Sequence, residues 1–376
     1  MAATQNEVCT MAVAIEISAA KWIVGSMSGT HRKIRRKTLD QGTAQTRFEA
    51  LLAEIEASKK QLKVPEGSRV LVAYEAGQEG FWLVRALQSA GIEAAVIDPV
   101  SLQVDRRSRR VKTDRIDAEA LTAALLRYMT GDVHALRMLW IPSPEAEDSR
   151  EWERERDRLQ GQCRGCIDRI GKKLRTQGLW PLPKSWREDL REDRLRRMSG
   201  APLGRVLRDT LLLELDRLEH AEALLKKLKS RLDLLDPAAK QRIDDLVLLR
   251  GLGPTGARAL STGLFWRQFS NRRQVGSCLG LVGTPYDSGT MRQDQGISKT
   301  GDPKLRALLV ELSWLWLRYQ PGSALSEWFR RRTEGGGKRH KRVMIVAVAR
   351  KLAIALWRYL EHGVIPEGAV LKRQVA

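Results

Sequence analysis

Short apolar runs alternate with longer amphipathic runs over the first hundred residues. The short runs have the length and residue types of strands, and the longer runs carry apolar residues three and four apart, as helices do. The pattern predicts strands at 11–17, 22–27, 33–39, 69–74 and 93–97 and helices at 43–62 and 81–90. Three hairpin-like strands followed by helix, strand, helix and strand predict an α/β domain with a mostly parallel sheet, in the element order of an RNase H-like fold.

From residue 149 the chain becomes charge-dense and helical. Apolar residues between 207 and 235 alternate three and four apart, and Glu214 is the one polar interruption of this stripe. The stripe predicts a coiled coil, formed either by two antiparallel helices of one chain or by self-association. Cys163 and Cys166 lie on a similar stripe, so packing in a core is favoured over a zinc or redox pair.

Helices also dominate the C-terminal third, which begins with a glycine-rich segment. Residues 251–256 match the G-x-G-x-x-G pattern of dinucleotide sites, but the next acidic residue, Asp287, lies too far along the chain. We therefore predict a hairpin between two helices, whose backbone amides bind DNA phosphates beside Arg250 and Arg258, with a plain helix connection as the alternative. Further helices are predicted at 308–319 and 343–360.

The charge balance points to a polyanionic partner. The 376 residues include 66 Lys and Arg against 45 Asp and Glu, which gives a formal net charge of +21. A folded protein with such an excess most often binds nucleic acid. No apolar run approaches the roughly 18 residues of a membrane span, and no signal peptide is evident at the start. Four cysteines suit a reducing compartment. We expect a cytoplasmic, nucleoid-associated protein with no membrane partner.

Four acidic residues stand where α/β sheets usually place their sites. Glu16 lies inside the first strand and Glu75 at the end of a central one. Asp114 and Asp117 open a predicted helix and share one face of it. Four converging carboxylates would hold two Mg²⁺ ions at a phosphodiester. The alternatives are a solvent-facing Glu16, a Glu75 that caps a helix, and ordinary acidic residues in a first helical turn.

A serine in a basic segment offers a second candidate centre. Ser288 precedes a glycine in a predicted polar loop, where cations could stabilise charge while the hydroxyl attacks phosphate. Serine before glycine is also common in ordinary turns. A second basic segment surrounds residues 335–337 and is predicted to be a mobile, phosphate-binding loop, with a merely solvated loop as the alternative. The predicted nucleic-acid-binding residues are Arg106, Arg107, Arg109, Arg110, Lys112, Arg250, Arg258, Arg292, Lys299, Lys304, Arg306, Lys338, Arg339, Lys341 and Arg342.

Five segments together resemble one protein family. They are AIEISAAKW around Glu16, YEAGQEGFW around Glu75, DPVSLQVDRRSRRVKTDRIDA around Asp114 and Asp117, RGLGPTGA at 250–257, and GLVGTPYDSGTMRQDQGISKTGDPKLR around Ser288. Over nearly its whole length the chain is similar to the DEDD-type insertion-sequence transposases. The relatives of that family include the Piv-type DNA invertases, and its members are described as bridge-RNA-guided recombinases.

The resemblance implies a three-part organisation. A RuvC-like catalytic domain would span 1–145, a helical coiled-coil assembly region 146–242, and a mainly helical transposase domain with a helix-hairpin-helix-like element 243–376. The implied partners are donor and target DNA, a guide RNA, and further copies of the chain in a dimer or tetramer.

The resemblance also implies the chemistry. Glu75, Asp114 and Asp117 would bind Mg²⁺, with Mn²⁺ as a substitute, and Ser288 would form a phosphoserine intermediate with DNA. Glu16 stands at the first ligand position, where the family usually has aspartate. The leading hypothesis is therefore a DNA recombinase. A RuvC-like nuclease that uses water, and an inactive relic that only binds nucleic acid, are the alternatives.

Overall fold

The computed structural model of the protein describes residues 10–40, 42–101, 114–231, 235–288 and 291–372. The chain divides into two compact units, Met1–Ile141 and Pro142–Ala376. Although the three-part organisation that the resemblance implies stays a prediction, the helical middle and the C-terminal region fall within the same compact unit. The reason is direct packing, since Trp152 and Glu153 of the middle region contact Arg258 of the C-terminal region.

A five-stranded sheet forms the centre of the first unit. Its strands are β1 (Thr10–Ile17), β2 (Trp22–Ser28), β3 (His31–Leu39), β4 (Arg69–Glu75) and β5 (Glu93–Ile97). They lie in the order β3-β2-β1-β4-β5. The pairs β1–β2 and β2–β3 are antiparallel, whereas β1–β4 and β4–β5 are parallel. All five predicted strands are confirmed, but the sheet is mixed, because hairpins join its first three strands.

Helices cover both faces of this sheet. They are α1 (Ala44–Gln61), α2 (Trp82–Ser89) and α3 (Asp114–Met129). Large side chains such as Ile15 and Tyr74 point to the face covered by α1 and α2. The opposite face carries mostly small residues and packs against α3. Gly25 shows how close α3 approaches, since a Cβ atom there would lie 2.2 Å from Oγ1 of Thr122.

The second unit is mainly helical. Its helices are α4 (Pro144–Arg175), α5 (Trp186–Arg191), α6 (Arg205–Lys229), α7 (Pro237–Leu248), α8 (Pro254–Gly263), α9 (Arg272–Cys278), α10 (Pro303–Tyr319), α11 (Ala324–Thr333) and α12 (Lys338–His362). A two-stranded antiparallel hairpin, β6 (Gly283–Ser288) and β7 (Met291–Ile297), interrupts them where a polar loop was predicted. Among the helices that the structure describes, none is long and apolar enough to cross a membrane.

The apolar stripe that predicts a coiled coil is covered within one chain. Helices α4 and α6 run antiparallel, since Arg169 lies opposite Glu214 and Trp152 near the other end of α4 donates a 3.1 Å hydrogen bond to the carbonyl of Leu228. Glu214 is buried in the seam, and the hydrogen bond from Arg169 lowers the pKa of its carboxyl. A buried carboxylate that pairs with an exposed arginine at one level of a helical seam fixes which residues face each other. The stripe on α6 is thus covered by the chain's own α4.

Cys166 also packs in this seam, as predicted. It is buried in the cluster formed by α4 and α6, and burial raises the pKa of its thiol. Both Cys163 and Cys166 are free thiols. The two cysteines therefore belong to the core that joins α4 and α6.

Candidate catalytic and nucleic-acid-binding sites

Two predicted metal ligands lie side by side at the carboxyl end of the sheet. Ile15 of β1 pairs with Tyr74 of β4, so Glu16 and Glu75 each follow at neighbouring positions on parallel strands. Because side chains alternate along a strand, both carboxylates point away from the α1 and α2 face and towards the α3 face. Both are half-buried. Glu75 does not cap α2, whose N-cap position is Phe81.

Helix α3 carries the other two acidic residues at its start. The helix begins at Asp114, and Asp117 follows three residues later, half-buried. Ala118 and Leu121 are buried against the sheet, so Asp117 lies at the border of the packed face of α3. Asp114 precedes Ala118 by one helical turn, and its side chain lies outside the described residues.

The donor set suits a hard divalent cation. Carboxylate oxygens are the ligands that Mg²⁺ prefers, and the sheet register puts two of them at one edge, on the face that α3 covers. Within the described side chains, no group of three or more His, Cys, Asp or Glu residues could hold a metal ion. The side chain of Asp114 lies outside the described residues, so the cluster of four carboxylates stays a prediction.

Ser288 lies on the β6–β7 hairpin of the second unit. It is the last residue of β6, and its backbone pairs with Met291, the first residue of β7. The two residues between them, 289 and 290, lie outside the described chain, as do the side chains at 287–288 and 291–294. The role of Ser288 as a nucleophile therefore stays a prediction. The predicted cation Arg292 pairs through its backbone with Asp287.

At the base of this hairpin, the segments before and after it approach each other closely at two glycines. Gly280 and Gly301 have φ angles of +62° and +82°, which favour glycine. A Cβ atom on Gly280 would lie 2.0 Å from the carbonyl oxygen of Thr300, and one on Gly301 would lie 2.0 Å from that of Cys278. The segments before and after the hairpin thus touch backbone to backbone. Sequence reasoning missed both residues, although both lie in the segment around Ser288 that carries the family resemblance.

Replacing Gly280 with alanine is expected to destabilise the hairpin base strongly. The left-handed backbone alone costs about 1–2 kcal/mol for a residue with a Cβ, and the clash with Thr300 adds to this cost. Gly363 is the matched control, because its φ of +66° is similar but a Cβ there meets nothing within 4 Å. Denaturant unfolding should show a larger loss for Gly280→Ala than for Gly363→Ala. Equal losses would mean that the backbone contact is unimportant.

The glycine-rich segment 251–256 connects two helices, as predicted. Helix α7 ends at Leu248, and α8 begins at Pro254 after Gly253 in the N-cap position. Arg250 is exposed beside this connection. The segment is therefore a helical hairpin with one accessible cation.

The prediction that Arg258 contacts a DNA phosphate is wrong. Arg258 is buried, its Nε lies 3.1 Å from a carboxylate oxygen of Glu153, and its guanidinium lies 4.4 Å from the ring centroid of Trp152. A side chain enclosed in this way cannot also reach a DNA phosphate. The sequence shows that Arg258 is charged, but its burial depends on contacts with distant residues that the sequence does not reveal. Arg258 instead joins α8 to α4.

Two further predicted cations have partners within the protein. Arg306 donates hydrogen bonds to the carbonyl oxygens of Leu279 and Thr300, at 3.0 and 3.2 Å, and so holds the hairpin base together. Lys304 pairs with Asp157 at 3.0 Å, although its side chain stays largely exposed. Lys299 is exposed. Arg106, Arg107, Arg109, Arg110 and Lys112 lie outside the described residues.

The basic segment after 335–337 is helical and not a loop. Helix α12 begins directly after Gly337, so four exposed cations occupy its first turns. The positive end of a helix dipole disfavours cations, whereas free backbone N–H groups there bind phosphate. This arrangement favours the predicted contact with a nucleic-acid backbone. The four residues are Lys338, Arg339, Lys341 and Arg342.

Models of known protein families match residues in both units. A model of DEDD transposases of the IS110 type matches residues 13–177, and a model described as transposase IS116/IS110/IS902 family matches residues 246–327. The first match includes the four acidic residues and the second includes the serine hairpin. A Sinorhizobium fredii protein, provisionally named transposase y4rJ, is 39% identical over 378 residues, which cover 96% of this chain and 94% of the relative. A Yersinia enterocolitica transposase for insertion sequence element IS1328 is 27% identical over 310 residues, 78% of this chain and 85% of the relative.

Proposed function

Because the chain belongs to the IS116/IS110/IS902 family of transposases, we propose that it exchanges DNA strands through a covalent phosphoserine intermediate with the help of Mg²⁺. Transposases cut and rejoin DNA, and the DEDD model implies a RuvC-like fold for the first unit. One observation supports the proposed Mg²⁺ chemistry most directly. Glu16 and Glu75 lie side by side at the carboxyl ends of the neighbouring strands β1 and β4, on the face covered by the helix that begins at Asp114 and carries Asp117.

The proposed reaction begins with the hydroxyl of Ser288. Its Oγ attacks the phosphorus, an Oγ–P bond forms, and the bond from phosphorus to one deoxyribose oxygen breaks. The hydroxyl gives its proton to a base, and the departing oxygen takes up a proton, so charge balances. A free hydroxyl of another strand then attacks the phosphoserine and releases Ser288. One P–O ester bond replaces another at each step, so no external energy source is needed.

The four acidic residues of the first unit would hold the metal ion. When bound, Mg²⁺ supplies positive charge to the phosphate oxygens of the transition state. Glu16 extends about one C–C bond further than the aspartate usual at its position, in a site where displacements of roughly 0.5 Å matter. The carboxylates at the carboxyl ends of β1 and β4 and at the start of α3 would hold the ion in position. The exposed cations Arg250 and Lys299 and those of α12 would bind the DNA backbone.

A nuclease of the RuvC type is the second candidate. The placement of the acidic residues alone favours it, since four carboxylates with metal ions can direct water at a phosphodiester. In that case Ser288 is a turn residue. A relic that only binds nucleic acid is a third candidate, and Glu16 in place of aspartate is the feature that favours it.

We further propose that the partners are donor and target DNA, a guide RNA, and other copies of the chain in a dimer or tetramer. The net charge of +21 supports binding of nucleic acid. If a guide RNA is a natural partner, the purified protein should carry one dominant RNA species, identified by sequencing. A mock purification from cells without the protein provides the background. Recovery of only abundant cellular RNAs, in proportion to their abundance, would contradict the guide.

A further inference from the structure

A pocket of about 630 Å³ opens among α11, α12 and the residues that follow α12. Its wall is largely apolar and includes Leu325, Ile354 and Pro366. Its volume falls in the range of roughly 300–1,000 Å³ that is typical of small-molecule sites. None of the proposed catalytic residues lines it. The second unit therefore contains a cavity of ligand size that the proposed reaction does not use.

Cations surround this pocket. Arg272 of α9, Arg331 of α11, and Lys351 and Arg358 of α12 line it, against the single carboxylate of Glu367. All four cationic residues are exposed. Like charges that line one pocket repel each other, and a bound anion would offset that repulsion. The excess of positive charge around the pocket therefore favours an anionic ligand.

Trp328 adds an aromatic surface to the same pocket. It packs with one side against the small core cluster of α11 and α12, so its ring is held in place. Nζ of Lys351 lies 4.7 Å from the ring centroid. The flexible lysine stem can move aside and leave the ring to a planar ligand. An aromatic ring beside several cations is the combination that binds a base by stacking and its phosphate by charge.

We propose that this pocket binds one unstacked nucleotide of a single strand, with the base against Trp328 and the phosphate held by the surrounding arginines. Arg331 belongs to a basic last turn of α11 that also contains Arg330 and Arg332. A strand leaving the pocket would therefore meet further positive charge, which favours a nucleotide within a strand over a free one. The proposal rests on the proposed function only in that nucleic acid is the partner.

Single-strand binding to a Trp328→Ala variant tests the proposal. Fluorescence anisotropy with labelled octamers of thymidylate (DNA) and uridylate (RNA) should show a loss of roughly 5- to 100-fold, the range for one stacked base. Binding to a labelled DNA duplex should change little. Trp314→Ala is the control, because Trp314 is exposed on α10 and does not line the pocket. The octamer that loses more affinity identifies the natural strand as DNA or RNA.

A charge variant keeps the test valid if Trp328→Ala does not fold. Arg331→Gln with Arg358→Gln should weaken octamer binding more than Arg330→Gln with Arg332→Gln. The two pairs remove equal charge, but Arg330 and Arg332 do not line the pocket. Equal losses for both pairs would overturn the pocket proposal while leaving the proposed function intact. A wild-type protein that binds neither octamer nor duplex would overturn both.

A photochemical crosslink locates the base directly. A thymidylate octamer with one 5-bromouracil should crosslink to Trp328 in the wild-type protein, as identified by mass spectrometry of the digest. A purely structural role for Trp328 would give no such product. Crosslinks that fall only outside the pocket would overturn the proposal.

Discussion

Replacing Ser288 with alanine is expected to abolish the covalent protein–DNA adduct and to lower strand exchange by about 10⁴-fold or more, as expected for loss of a nucleophile. Alanine removes the only atom of this side chain that can attack phosphorus. DNA binding should persist, because the exposed cations of the second unit are unchanged. The adduct is measured as labelled DNA that stays with the protein on a denaturing gel.

Ser298→Ala is the control for this experiment. Ser298 lies just after β7, and its hydroxyl lies 3.1 Å from that of Thr300. The Ser298→Ala variant should form the adduct normally. If the Ser288→Ala variant still forms the adduct, Ser288 is not the nucleophile. If the wild type never forms an adduct and Ser288→Ala cuts DNA at the normal rate, water attacks and the nuclease alternative is correct.

Asp117→Asn is expected to lower DNA strand cleavage by about 10³-fold, comparable to the loss of one strong electrostatic contact in an active site. Asparagine keeps the shape of the side chain but removes the charge that attracts Mg²⁺. The fold should be retained, because Asp117 is half-buried at the border of the packed face of α3. Cleavage is measured against Mg²⁺ concentration, and Asp114→Asn should behave in the same way.

Glu119→Gln is the matched control on the same helix. Glu119 forms an ion pair with Arg36 of β3, so its charge is used within the fold. Removing this charge should leave cleavage nearly unchanged. If Asp117→Asn cuts DNA as fast as the wild type, the proposed metal site is wrong. If no variant cleaves in Mg²⁺ or Mn²⁺, and restoring the family residue with Glu16→Asp changes nothing, the binding-only relic is favoured.

The sequence predicted the first unit closely because two simple periodicities dominate it. Apolar strands such as 11–17 and helices such as 43–62 bury regular faces, and β1 (Thr10–Ile17) and α1 (Ala44–Gln61) match them. The adjacency of Glu16 and Glu75 followed from the expectation that acidic residues at strand ends meet at one edge. The expectation of a mostly parallel sheet was wrong, because the predicted hairpins make two of the four strand pairs antiparallel.

The second unit was harder to predict for physical reasons that differ by element. The strands β6 (Gly283–Ser288) and β7 (Met291–Ile297) are polar and show no apolar alternation, so they resembled a loop. The start of α12 was hidden by three glycines and a run of cations. Arg258 was misassigned because its burial depends on the distant residues Trp152 and Glu153. The apolar stripe on α6 did not show whether its partner was a helix of the same chain or a second copy, whereas the structure shows that α4 covers it.

Identifying the modified residue in the wild-type adduct is the most direct test of the phosphoserine mechanism. After nuclease and protease digestion, mass spectrometry should find a nucleotide attached to Ser288. Tyr286 is the competing nucleophile, because it is exposed on the same strand. A nucleotide on Ser288 is the result that we predict. A nucleotide on Tyr286 or on any other residue would contradict the mechanism.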